Sequence, residues 1–147
     1  MDWCGLSSDE PKRRLSWRDA KLLARCLLTV AATRLGLTVV GYRRLPQPSA
    51  CANAPAPPHL VARVRAGVTW ASRFVPRATC LTQALACRYL LARQGYATTL
   101  RIGVRPDARQ AFTAHAWLLS GDSVVIGGDL ASLQTYATFA DFEARAH

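Results

Sequence analysis

Apolar residues recur at helical spacing in the first two thirds of this chain and at strand spacing in the last third. A helix is predicted from Trp17 to about Leu35, where Gly36 weakens it, with a continuation towards Val40 and Gly41. Ser16 and Asp19 form an S-x-x-D capping box at its start. Leu60, Val64, Val68, Ala71 and Val75 make the stripe of a second helix, with Arg63, Arg65 and Arg73 off the stripe and Pro76 as its stop. A third helix follows Thr79 and runs to near Arg93, with Gly95 as the residue that ends it. It is apolar on nearly every face, which predicts the central buried helix. From Leu100 the period becomes two. Leu100, Ile102 and Val104 alternate with Arg101 and Gly103, and Phe112–Leu119 and Val124–Ile126 form a hairpin across residues 120–123. The tail carries Leu133, Tyr136, Phe139 and Phe142, expected to pack as a strand or short helix.

This order of elements predicts an α+β fold of transglutaminase or papain type, with helices packed on a small antiparallel sheet. The 147 residues favour a single domain. Within it, residues 1–14 read as a flexible tail and 15–45 as an N-terminal helical segment. Residues 46–58 contain five prolines and read as a linker, leaving 59–147 as the catalytic region. Leu22–Val40 is apolar enough to resemble a membrane span, but it carries Arg25 and Arg34. Each charge near the centre of a span costs about 2.5–3.5 kcal/mol on insertion. Weak association with a membrane surface is therefore favoured over a span.

Charge and cysteine content narrow the setting. The formal net charge is +10, and 17 of the 19 basic residues are arginines. That balance suits an acidic partner. A nucleic-acid partner is not expected, because there is no zinc knuckle, RNP aromatic motif or Lys/Arg-rich block. The five cysteines, Cys4, Cys26, Cys51, Cys80 and Cys87, are odd in number and include no C-x-x-C pair. They suggest neither a disulfide framework nor a structural metal, and no cofactor is called for. Asp2, Asp9 and Glu10 precede the first apolar run, unlike a secretory signal, so a reducing cytoplasmic setting is expected.

Three residues then stand out. Cys80 opens the third helix, where the dipole and the open amides favour a thiolate and can bind an oxyanion. Cys87, mid-helix, has the position of an inert buried thiol. His115 lies in a strand, whereas His59 borders the Pro-rich segment and His147 is the last residue, so His115 is the base by elimination. Two carboxylates compete to orient it. Asp122 is seven residues away at the hairpin turn, about 23 Å along an extended strand. Asp129 is on the returning strand. A three-residue loop would oppose His115 to Asp129. A two-residue loop would oppose it to Gly128, unless a bulge at Gly127-Gly128 absorbed the difference. A nucleophile, a base and a carboxylate drawn from separate elements point to covalent acyl transfer, with Cys80, His115 and Asp129 as the catalytic set.

The segments T-C-L-T-Q-A-L-A-C, L-R-I-G-V and A-H-A-W-L-L-S-G-D-S-V-V-I-G-G-D resemble the leader peptidases of lasso-peptide biosynthesis. These are the small B-protein members of the transglutaminase-like cysteine protease superfamily. The similarity runs from about Ser16 to Phe142. It implies that the Cys of C-L-x-x-A-L is the nucleophile, the His of A-H-A-W the base and an Asp after the next strand its partner, here Cys80, His115 and Asp129. It further implies removal of a leader from a ribosomally made precursor through an acyl-enzyme. The implied partners are the precursor leader, a separate leader-recognition protein and an ATP-dependent lasso cyclase. Two other readings remain open on the residues alone: amine acylation of the transglutaminase or acetyltransferase kind, and a non-catalytic basic scaffold for an acidic peptide or nucleic acid.

Overall fold

A computed structural model describes residues 17–45, 54–106 and 111–143. The expected tail, the capping residue Ser16 and most of the Pro-rich segment lie outside these residues. Helix α1 spans Trp17–Val39, α2 Pro58–Ser72 and α3 Cys80–Ala92. They are followed by β1 (Thr99–Pro106), β2 (Phe112–Ser120), β3 (Ser123–Ile126), a single-turn α4 (Leu130–Leu133) and β4 (Ala137–Glu143). The four strands form one antiparallel sheet in the order β3-β2-β1-β4. The α+β architecture read from the pattern is the one observed.

Proline chemistry sets the ends of α2. Pro58, assigned by the sequence to the linker, is the first helical residue, where its missing N–H costs nothing. The helix closes at Ser72, before the Val75 that completes the apolar stripe, and Phe74 and Ala78 continue in turns. The last residues before α2 are docked on the fold. Ala56 is buried and donates its N–H to Ser120 Oγ at 2.8 Å, and the Ala97 N–H reaches Ala54 O at 3.1 Å.

The sheet has two differently packed faces, as strand alternation requires. Leu100, Ala116, Leu118 and Val125 join Cys26 and Val30 of α1, Val64 and Val68 of α2 and Ala84, Cys87 and Leu91 of α3 in the main core. Trp117, Leu119 and Leu133 form a second, smaller cluster with Val124 and Tyr136. As expected, α3 is the most buried helix. It also buries a charge that its apolar sequence conceals. Arg88 is 1% exposed and is hydrogen-bonded to Tyr42 in the 3-10 turn after α1. Burial pushes the Arg88 guanidinium down, and the attraction of Tyr42 opposes this. Tyr42 meets Phe142 of β4 edge-on at 5.3 Å, so the turn bridges helix and sheet.

The hairpin has a two-residue loop. Ser120 pairs with Ser123, leaving Gly121-Asp122 as the turn. A bulge then inserts Val125, so Leu119 pairs with Val124 but Leu118 with Ile126. Arg65, off the apolar stripe of α2, satisfies the bulge. Its Nε donates to Val125 O at 2.5 Å and its Nη2 to Val124 O at 2.6 Å.

Candidate functional site

Cys80 is the first residue of α3, and Thr79 is its N-cap, with Thr79 Oγ1 accepting from the Thr82 N–H at 3.4 Å. The Gln83 N–H goes to Thr79 O at 3.0 Å. The amides of Cys80 and Leu81 stay outside the helical ladder, as the first turn of any helix requires. The Cys80 side chain is half-buried and packs on the edge of the main core. The other two cysteines with described positions contrast with it. Cys26 and Cys87 are fully buried. Burial pushes the Cys87 thiol far above the ordinary range, with Cys26 adding to the rise and Arg65 opposing it, and burial raises Cys26 as well.

His115 pairs with Gly103 of β1 and shares the sheet face of Trp117. Its ring lies 6.1 Å from that of Trp117 and 5.5 Å from that of Tyr136. Tyr136 in turn carries the Arg105 guanidinium 4.7 Å from its ring centre. His115 Nε2 is 2.6 Å from Gly127 O. A carbonyl oxygen only accepts, so Nε2 carries the proton and Nδ1 keeps the basic lone pair.

The bulge shifts the hairpin register by one residue. Continued three pairs beyond Ile126, it would set Asp129 opposite His115. Strand pairing stops at Ile126, and Gly127 (φ 113) and Gly128 (φ 125) turn the chain. Asp129 becomes the cap of α4. Its Oδ1 accepts from Ser132 Oγ at 2.6 Å and its Oδ2 from the Ser132 N–H at 3.2 Å. The Ser132 hydroxyl and amide hold this exposed carboxyl below its usual range. Asp122 lies in the two-residue turn, as its sequence position indicates.

Cys80, His115 and Asp129 each take a different polar environment. The turn at 93–98 joins α3 to β1, and β1 begins opposite Leu119. Cys80, at the start of α3, and His115, four pairs along β2, both lie remote from that turn, and α3 packs on β2. Cys80 borders the helix-side core, whereas the His115 ring stands among Trp117 and Tyr136. Among the described residues no hydrogen bond joins Cys80 to His115 or His115 to Asp129. The sequence reading missed Gly127 O and Tyr136 as neighbours of the imidazole. The glycine pair was its only signal. A side chain on Gly127 would meet Trp117 Cβ, with Trp117 Cα at 2.8 Å.

Residues 22–141 match the family model of the Transglutaminase-like superfamily. The chain belongs to that superfamily. Comparison with curated proteins and with solved structures returned no match. The transglutaminase-like fold is compatible with cysteine peptidase and acyltransferase chemistry. In this member, α1 from Leu22 onward lies in the matched region and contributes Cys26 and Val30 to the core, although the helix is long and apolar enough to cross a membrane by length and composition. No group of three or more His, Cys, Asp or Glu among the described residues is placed to hold a metal ion.

Proposed function

We propose that this transglutaminase-like protein is a cysteine peptidase that removes the leader from a ribosomally made lasso-peptide precursor. The observation that carries the proposal is Cys80, half-buried at the capped start of α3, beside amides that the helix does not use. Its motifs C-L-T-Q-A-L and A-H-A-W support the finer assignment. Cys80 Sγ attacks the scissile carbonyl, and the oxyanion forms beside the Cys80 and Leu81 amides. His115, having taken the thiol proton on Nδ1, gives it to the leaving amine as the C–N bond breaks. Water then cleaves the thioester, with His115 accepting its proton and the leader acid departing. Gly127 O fixes the tautomer of the resting imidazole. The exposed Asp129 carboxylate, two residues further on, stabilises the imidazolium that forms.

Among the described residues no hydrogen bond joins Cys80 to His115, and in this reading the productive pair forms when substrate is presented. Presentation falls to a separate leader-recognition protein in the cytoplasm, and the freed amine passes to an ATP-dependent cyclase. A partner that pre-binds the leader supplies an effective concentration of about millimolar. The test is cleavage of a dilute full-length precursor, followed by mass spectrometry, with and without the recognition protein. Wild type is expected to cut efficiently only with the partner. Cys80→Ala should lose about 10⁴–10⁶-fold in rate, while Cys87→Ala stays active. An active Cys80→Ala protein ends the mechanism, and equal cutting without the partner ends the split arrangement.

A further inference from the structure

We infer that a groove between α1, α2 and α3 is a docking site for an acidic, amphipathic peptide segment. The groove has a volume of about 730 Å³. Five cations line it: Arg18, Lys21 and Arg25 from α1, Arg63 from α2 and Arg93 at the C-cap of α3. Leu22, Leu60 and Leu90 supply an apolar floor. At the rim stand Leu28, 70% exposed, and Tyr89, 38% exposed. Among the described residues that line the groove there is no carboxylate.

The contacts that do engage these cations are weak. Arg63 reaches Asp19 at 3.4 Å with both side chains about half exposed. Lys21 lies 5.5 Å from the centre of the Trp17 ring, and Arg93 5.9 Å from that of Tyr89. A ligand with carboxylates can displace them, since guanidinium groups bind carboxylate in a two-pronged fashion. Its apolar residues would cover Leu28 and Tyr89, which the fold leaves in water. The recess favours a peptide over a bilayer, because a flat surface reaches only the rim. The apolar floor disfavours a phosphate backbone.

The groove is separate from Cys80. Tyr89 is nine residues further along α3, about 13 Å of helical rise. Under the proposed peptidase reading the groove tethers an acidic segment of the recognition partner away from the scissile bond. That role rests on the reading; the binding does not.

The experiment is fluorescence anisotropy of a labelled synthetic peptide with Glu and Leu at helical spacing, titrated with the full chain. Saturable binding that weakens with added salt is expected. Arg25→Glu combined with Arg93→Glu should weaken it about tenfold or more. Arg73→Glu, at the other end of α2, should leave it unchanged, as should Cys80→Ala. Circular dichroism of each variant confirms folding, and Arg25→Gln with Arg93→Gln gives a milder loss in the same direction. Equal binding by wild type and the double charge reversal overturns the site. So does charge-dependent binding to phosphatidylglycerol vesicles with none to the peptide. Binding without precursor cleavage upholds the groove and removes the peptidase reading; cleavage without peptide binding does the reverse.

Discussion

Gly127 O occupies the position on His115 that a catalytic carboxylate was expected to fill. The tautomer is therefore set by the backbone, and a carboxylate is left with charge compensation alone. This separates the two aspartates. Asp129→Asn keeps a good helix cap, since Asn caps as well as Asp, but removes the charge that the proposed mechanism uses to stabilise the imidazolium. The expected cost is about 10–10²-fold in kcat/KM, below the roughly 10⁴-fold seen where an Asp bonds the imidazole directly. Asp122→Asn, in the hairpin turn, should change the rate less than twofold or so. Precursor-cleavage kinetics of the two variants decide between them, and equal effects would remove Asp129 from the site. The sequence showed both aspartates. It did not show Gly127 O, because an accepting carbonyl has no residue type.

Elements were the most legible level. Thr79 before an apolar run marked the start of α3, and the change of period at Leu100 marked β1. The tail was ambiguous until β4 paired with β1, because Phe139 and Phe142 fit a strand or a helix equally well and only a partner remote in sequence selects one. Arg65 shows the same limit. By periodicity it is an exposed helix residue, yet it binds the two carbonyls of the β3 bulge, 59 and 60 residues away. Arg65→Met keeps the side-chain stem and removes both donors. It should cost about 1–3 kcal/mol in urea unfolding, whereas Arg63→Met should stay within about 0.5 kcal/mol. A loss no greater than that of Arg63→Met would mean that the bulge holds itself.

At the scale of the whole molecule, the core is closed by groups that resist ionisation. Burial raises the Cys87, Cys26 and Tyr42 acids, with Arg88 partly offsetting the rise at Tyr42. Each is neutral in the folded state where the unfolded chain has begun to lose its proton. The thiols' contribution is fully present below their ordinary unfolded value of 9.0 and declines as pH rises above it, and that of Tyr42 declines above its ordinary 10.0. Cys87 alone should cost about 1 kcal/mol between pH 8 and pH 10. Thermal melts across that range should fall more steeply for wild type than for Cys87→Ala; parallel slopes would count against it.

The ring cluster around His115 makes the site optically visible. Trp117 is 3% exposed and nearly parallel to the imidazole, with 23° between the planes. Indole emission responds to the polarity and charge within a few ångströms of the ring. Under the proposed mechanism, any turn of the imidazole away from Gly127 O as a thioester forms on Cys80 changes the quantum yield of one buried fluorophore. The proposed turnover cycle therefore carries its own intrinsic probe, readable by stopped flow once Trp3, Trp17 and Trp70 are replaced by phenylalanine.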